Sequence, residues 1–278
     1  MKKEIQSKAE LAKSGASCIV GFLFLLSFIL FFIYWPLAII ALAGALIYAS
    51  VSSKEATELE KSGEVYLGSN VELLNLSTLS PAAEPFVIIV DVETTGLLVD
   101  DTTPTIKKVK ENPDWYPRIV QIAWLTLSRN YEIVEKNIFY VKQNEPIPEK
   151  AIQIHGITNE ICNLKGVEIA DVIHKFRESA SFCEYYAGHN VHFDKYVIEA
   201  ECIKNDLPKP FKYLKGYDTM KMGQGIVKRR KFKLEEIANK IFGKKLLQDN
   251  NINFHDAFSD VWVTASIFAV LHKNDIKY

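Results

Sequence analysis

Two kinds of hydrophobic pattern divide the chain. From Cys18 to Val51 there is no charged residue, and Phe, Leu, Ile and Ala dominate the run. A soluble core helix of that length without a charge is very unusual, so the run is expected to lie in a membrane. As one straight helix it would be about 50 Å long, against a hydrocarbon core of about 30 Å. Pro36 sits near its middle, after Tyr34 and Trp35, residue types that favour the membrane interface. Two short helices joined at Trp35-Pro36-Leu37, a transmembrane helical hairpin, fit these lengths better than one. A single long tilted span or kinked helix is the alternative. A cleaved signal peptide fits less well, since its apolar region is usually about 7–15 residues.

The second pattern begins at Phe86-Val-Ile-Ile-Val-Asp-Val92, a continuous β-branched run of the kind a central strand buried on both faces requires. Ile119–Leu127 and Tyr131–Val141 read as two more strands, and the turn Ser128-Arg129-Asn130 between them makes an antiparallel hairpin. Glu168–Ser179 has helical spacing through Ile169, Val172, Ile173 and Phe176. Glu184–Ala187 is a short strand, and His192–Lys204, Leu234–Phe242 and Ala257–Leu271 read as helices. Strands first, then helices interleaved with a further strand, predict an α/β layer fold with a mixed sheet. The expected organisation is a basic N-terminal segment (1–17), a membrane segment (18–51), a linker (52–84) and a folded domain (85–278). No internal repeat is visible.

Charge adds orientation. Lys2, Lys3, Lys8 and Lys13 precede the apolar run, and Lys54 and Lys61 follow it. The positive-inside rule then places both ends, and the domain beyond them, on the cytoplasmic side. Glu55, Glu58 and Glu60 dilute that signal on the second flank. Across all 278 residues, 48% hydrophobic and 24% charged composition is ordinary for a folded protein. Cys18, Cys162, Cys183 and Cys202 form no CxxC pair, which excludes a disulfide framework or a zinc knuckle.

Candidate chemistry sits at three places. In Asp91-Val92-Glu93-Thr94-Thr95-Gly96, residues two apart on a strand share a face, so Asp91 and Glu93 can offer two carboxylates to one cation. Carboxylates ending an apolar strand are costly to desolvate unless something positive pairs with them. A solvated strand end is the plain alternative. Gly96 would let the backbone turn sharply and approach a ligand. In His189-Asn190-Val191-His192-Phe193-Asp194, the last residue falls in the first turn of a helix, where a carboxylate also serves simply as an N-terminal charge partner. In His255-Asp256-Ala257-Phe258-Ser259-Asp260, residues five apart on one helix lie about 140° around the axis. His255 and Asp260 therefore converge only if His255 sits in the loop before the helix, with Asp256 as its N-cap.

Taken together, four carboxylates and one histidine match a two-metal phosphodiester hydrolase. Hard oxygen donors suit Mg²⁺ or Mn²⁺ rather than zinc. Two such ions about 3.5–4 Å apart can activate water and stabilise the leaving 3′ oxygen. A histidine, with an ordinary pKa of about 6.5, suits taking the water's proton.

These motifs resemble those of the DEDD exonucleases, histidine subtype, a family that includes proofreading exonuclease subunits. The resemblance runs from about Phe86 to Leu271 and carries Asp-x-Glu-Thr-Thr-Gly at 91–96, His-Asn-x-x-Phe-Asp at 189–194 and His-x4-Asp at 255–260, in family order. Ile154-His-Gly-Ile-Thr158 and Tyr217-Asp-Thr219 also look like family landmarks. The tyrosine subtype would carry Tyr where Asp256 stands. The resemblance implies a ribonuclease-H-like fold and stepwise removal of nucleotides from a free 3′ end. It implies Asp91, Glu93, Asp194 and Asp260 as ligands of two divalent ions and His255 as general base. Thr94, Thr95, Gly96 and Leu97 would lie against the terminal nucleotide, with His155, Gly156, Asn190 and Phe193 nearby. The chain departs from a usual loop length between Leu98 and Pro117, a segment expected to alter how the substrate strand enters.

Between Leu207 and Lys245 there are twelve basic residues against three acidic ones, in a chain whose formal net charge is −1. A solvated face is the plain reading. Beside a nuclease site, such a patch steers a phosphate backbone. Phe211, Tyr213 and Tyr217 could stack bases, although core packing is the commoner fate of an aromatic. Lys228-Arg229-Arg230-Lys231 could instead touch anionic lipid. DNA is favoured over RNA because the Thr-Thr-Gly sequence looks closest to the proofreading type. An exoribonuclease acting on short RNA, a catalytically weak nucleic-acid-binding module held at the bilayer, and an assembly platform are the competing readings. With no charge inside the apolar run, a transport role has no support.

Overall fold

The computed structural model describes residues 71–276. The basic N-terminal segment, the expected membrane hairpin and the first part of the linker lie outside the described residues. Among the described residues no helix is long and apolar enough to cross a membrane.

The expected central strand is β1 (Pro85–Thr94), and Val87, Ile88, Ile89 and Val90 in it have no exposed surface. β2 (Ile119–Ser128) is buried along its whole length, and β3 (Ile133–Tyr140) is partly exposed, as suits an edge. Two short strands, β4 (Tyr185–Gly188) and β5 (Lys215–Asp218), complete a five-stranded sheet in the order β3-β2-β1-β4-β5. β1 pairs antiparallel with β2 and parallel with β4, so the sheet is mixed, as the sequence pattern implied. β2–β3 is antiparallel and β4–β5 parallel.

Among the described residues the helices in chain order are α1 (Ile106–Glu111), α2 (Glu149–His155), α3 (Asn159–Lys165), α4 (Ile169–Ser181), α5 (His192–Lys204), α6 (Thr219–Met222), α7 (Gln224–Val227), α8 (Leu234–Phe242), α9 (Lys244–Asp249) and α10 (Ala257–Lys273). Alternation along β1 decides which face each helix takes. Ile88, Val90 and Val92 join one core with Val172, Ile173 and Phe176 of α4 and Val197, Ile198 and Cys202 of α5. Val87, Ile89, Asp91 and Glu93 therefore point to the opposite face, where α10 packs across β1, β2 and β4. Trp124, fully buried, donates its indole N–H to Ser179 Oγ at 3.2 Å, so its polar atom is not orphaned. Cys162, Cys183 and Cys202 are buried free thiols.

Two segments carry more structure than their patterns suggested. The segment from Leu98 to Pro117 holds α1 and a 3₁₀ turn at Pro113–Trp115. Val109, Tyr116 and Leu98 from this insert pack on Ala200 and Ile203 of α5. The end of the expected linker lies on the domain: Trp262 Nε1 donates to the Leu74 carbonyl at 2.7 Å, Leu74 N–H to Ser266 Oγ at 3.0 Å, and Ser80 N–H to the Ile133 carbonyl at 2.8 Å. Helices α2 and α3, of seven residues each, and the four-residue β5 are too short for periodicity to reveal.

Candidate active site

The starts of α5 and α10 meet the end of β1. Asp91 and Glu93 project from the α10-facing side of β1. Asp194 lies in the first turn of α5, and Asp260 in the first turn of α10. Asp194 does more than complement its own helix: its Oδ1 accepts the Val92 N–H at 3.0 Å, fastening α5 to β1 between the two strand carboxylates.

The start of α10 shows how His255 reaches Asp260. Asp256 is the N-cap, its Oδ2 accepting the Ser259 N–H at 3.1 Å, as expected. His255, one residue earlier, has a left-handed backbone (φ 69°), which turns it off the helix axis. Its N–H donates to Asp260 Oδ2 at 3.1 Å. The donor atoms of Glu93, His255 and Asp260 then lie within 4.8 Å of one another. Helical geometry alone would have kept the last two apart.

The charges at this point repel. Asp91 is held well above the usual carboxylate range, by burial first and then by Asp194, Asp260 and Glu93. Glu93 is pushed up to about 8 by burial and by the charges of Asp260 and Asp194. Burial likewise raises Asp194 and Asp260, against hydrogen bonds from Val92 and His255 that lower them. None of the four lies within ion-pair distance of a Lys or Arg among the described residues. Asp260 Oδ1 is buried without any hydrogen-bond partner. An orphaned carboxylate oxygen, facing other carboxylates and an imidazole, fits a divalent cation: such a charge would offset both the burial and the repulsion.

The residues expected against a terminal nucleotide have varied surroundings. Thr94 is buried and donates its hydroxyl to the Gly96 carbonyl at 2.7 Å. Thr95 N–H donates to the Arg118 carbonyl, and Arg118 N–H returns to Thr95 Oγ1, each at 3.0 Å. Gly96 is not in the left-handed region, so the expected sharp turn does not demand glycine. No atom lies within 4 Å of where a Cβ would stand, which leaves the space in front of it open. Leu97 is 82% exposed. His155 ends α2, with Gly156 in the left-handed C-cap (φ 72°). Burial, and to a smaller extent the nearby His255, holds the His155 imidazole below its ordinary pKa. Asn190 is exposed and left-handed (φ 60°), whereas Phe193 packs partly into the α4–α5 core.

Of the candidate stacking aromatics, Phe211 is buried against Phe176 and Tyr186, Tyr217 packs on Tyr185 and Phe268, and Tyr213 is exposed. Lys228 to Lys231 are exposed, and His189 Nε2 lies 3.1 Å from the Phe232 carbonyl, joining this basic loop to the segment that leads to Asp194.

Two supporting residues escaped the sequence reading. Gln121, opposite Glu93 in the β1–β2 register, donates Nε2 to Asp256 Oδ1 at 3.2 Å and accepts the Ala257 N–H at 3.0 Å. It clamps the start of α10 beside the carboxylates. Its only signal was a polar residue inside an otherwise apolar strand. Asp218, buried at the end of β5, accepts the N–H groups of Asn190 at 2.9 Å and Met220 at 3.0 Å. Tyr217-Asp-Thr219 marked its place without revealing that role.

Comparisons with known proteins agree with this architecture. Exonuclease I of E. coli, solved in complex with a dA16 oligonucleotide, is 19% identical with a TM-score of 0.50, over 67% of this chain and 40% of that one. Exonuclease I from Methylocaldum szegediense is 18% identical with a TM-score of 0.52, again over 67% and 40%. At such identities the likeness shows the fold alone, and this chain spans about 40% of the length of those proteins. No curated protein matches the chain. The model of the RNase_T family, described as exonuclease, matches residues 88–268, and the chain belongs to that exonuclease family.

Proposed function

We propose that this protein is a membrane-anchored 3′→5′ exonuclease of the DEDD histidine subtype, which removes nucleotides from the 3′ end of single-stranded or frayed DNA. The observation that carries this reading is the convergence of Asp91, Glu93, Asp194, Asp260 and His255 at one end of the sheet, with repelling carboxylates and, among the described residues, no Lys or Arg within ion-pair distance of them. When bound, two Mg²⁺ or Mn²⁺ ions would polarise the scissile phosphodiester, lower the pKa of water and stabilise the leaving 3′ oxygen. The four carboxylates would hold them. His255, exposed at the rim, is placed to take the attacking water's proton on a ring nitrogen and release it to solvent. Thr94 and Thr95 hold the turn after β1, so that Gly96 and Leu97 can lie against the terminal nucleotide, with His155, Gly156, Asn190 and Phe193 around it. The exposed basic loop 228–231 steers the phosphate backbone. The charge-free run 18–51 supports the anchor, and its lysine flanks support a cytoplasmic domain.

The test uses the full-length chain in non-ionic detergent with matched 3′- and 5′-labelled single-stranded DNA and RNA, in Mg²⁺, Mn²⁺ or EDTA. A metal-dependent ladder from the 3′ end, faster on DNA and lost in His255→Ala, is expected. A faster ladder on RNA would make it an exoribonuclease. Binding without shortening of either strand would leave a nucleic-acid-binding module at the membrane.

A further inference from the structure

The insert between β1 and β2 is an ordered shelf, although most of its polar surface faces water. Lys108 pairs with Asp100 at 2.9 Å, and the Val99 N–H donates to the Trp115 carbonyl at 3.0 Å. Further contacts pin the shelf to its surroundings. His192 pairs with Asp101, Thr103 Oγ1 lies 2.8 Å from Tyr196 Oη, and Lys209 Nζ donates to the Pro104 carbonyl at 2.6 Å. At its far end, Arg118 and Thr95 exchange backbone and hydroxyl hydrogen bonds. The insert is thus fastened on one side to Thr95, beside Glu93. On the other it is fastened to the first turns of α5, which carry Asp194.

Among these polar positions its surface also presents apolar side chains. Leu98 packs inward, while its neighbours Leu97 and Val99 are 82% and 70% exposed, and Trp115 is 37% exposed. Val99, Trp115, Asp100 and Lys108 line a cleft of about 430 Å³, within the range of small-molecule sites. The Lys108 charge is already matched by Asp100, so this cleft has little excess charge to offer a phosphate. A flat aromatic ring such as a nucleobase fits it better. Trp is also the side chain whose exposure costs most in apolar area and gains most from a stacked ring.

We propose that Trp115, with Val99 beside it, is a stacking shelf for a nucleobase of the strand whose 3′ end lies in the carboxylate site. The shelf rests on the nucleic-acid reading above. It deepens that reading by adding a contact away from the reacting phosphate, which holds the strand by its base and not by its charge. Stacking is tolerant of base identity, so the contact grips without selecting a sequence.

Equilibrium binding in EDTA separates this proposal from the catalytic one. A fluorescein-labelled single-stranded oligonucleotide is titrated with the full-length chain in non-ionic detergent, and the anisotropy is followed over a range of salt. Trp115→Ala is expected to weaken binding roughly tenfold to a hundredfold, the value of one base–aromatic stack, with the slope of log affinity against log salt unchanged. Trp115→Phe should restore part of the loss. An abasic residue walked inward from the 3′ end should weaken the wild-type chain most at one position and add nothing in Trp115→Ala. Unchanged affinity of Trp115→Ala overturns the shelf. So does a flattened salt slope, or a loss spread evenly over every abasic position. A Trp115→Phe variant as weak as Trp115→Ala, at an unchanged melting temperature, overturns stacking in particular. If the wild-type chain binds no oligonucleotide, the shelf falls with the nucleic-acid reading; if it binds here but shortens no strand in Mg²⁺ or Mn²⁺, only the hydrolytic reading falls.

Discussion

Two sets of buried or half-buried carboxylates stand side by side in this domain, and they are balanced in opposite ways. On α5, Glu199 and Glu201 are buried, and each has a lysine: Lys209 Nζ lies 2.9 Å from Glu199 and Lys204 Nζ 3.0 Å from Glu201. Both lysines also reach backbone carbonyls of the insert, Lys209 that of Pro104 and Lys204 that of Tyr116. These acids are structural, and their charges are closed within the fold. At the end of β1 and the starts of α5 and α10, Asp91, Glu93, Asp194 and Asp260 have no such partners among the described residues, and burial first, with nearby carboxylates after it, pushes all four pKa values up. A fold that supplies lysines to two buried glutamates and withholds them from four neighbouring carboxylates has left room for a cation from outside.

The sharpest way to break this comparison is to remove one carboxylate of the unpaired set. Asp194→Asn keeps an oxygen for the Val92 N–H and removes one negative charge. Hydrolysis in Mn²⁺ is expected to fall by about 100- to 1,000-fold, on the scale of losing a transition-state electrostatic contact. The metal-free melting temperature should hold or rise, because the remaining three carboxylates repel less. Normal turnover in this variant would refute the ligand assignment. A collapse of the fold would place Asp194 with the structural acids.

The pH dependence of stability sharpens the same contrast. A carboxyl whose pKa is higher in the folded chain binds more protons there than in the unfolded chain, so its contribution weakens as pH rises. For Glu93 the window runs from the ordinary value of 4.5 to about 8, and the raised values of its three neighbours act in the same direction. In EDTA, the melting temperature is expected to fall as pH rises from about 5 to 8. With Mn²⁺ bound the carboxylates are stable in their charged form, so the gap between Mn²⁺ and EDTA curves should widen over that range. Parallel curves would mean that the cluster binds no cation.

What the sequence made legible follows from how local each signal was. β1 and its two carboxylates lie within one decapeptide, and alternation along a strand fixes their shared face. Asp256 as N-cap, and His255 just before it, needed only helix-start chemistry. Gln121 was hidden, because its partners Asp256 and Ala257 are 135 and 136 residues away and nothing near Gln121 points to them. The insert was hidden for a different reason. Its six-residue α1 is held by Val109 and Tyr116 packing on Ala200 and Ile203, and so has no periodicity of its own. The Lys209 partner of Glu199 was equally invisible, being fixed by where the chain returns after α5, whereas Lys204 pairs with Glu201 three residues away on the same helix.

The smallest expected effect on catalysis comes from the paired set. Lys209→Met keeps the aliphatic stem, removes the charge and leaves Glu199 buried without its cation. An unsatisfied buried acceptor costs about 1–3 kcal/mol. The lower half of that range is expected here, since the Lys209 side chain is 30% exposed and water can replace part of the contact. Urea unfolding followed by Trp fluorescence reads the loss as a lower midpoint at an unchanged slope. Turnover per folded molecule should stay within about twofold of the starting chain, because this glutamate holds the insert onto α5 and binds no ion. Glu199→Gln combined with Lys209→Met removes both charges and should recover much of the stability. A large fall in turnover with little change in stability would instead mean that Glu199 works with the catalytic set, and that the division between closed and open carboxylates runs somewhere other than along α5.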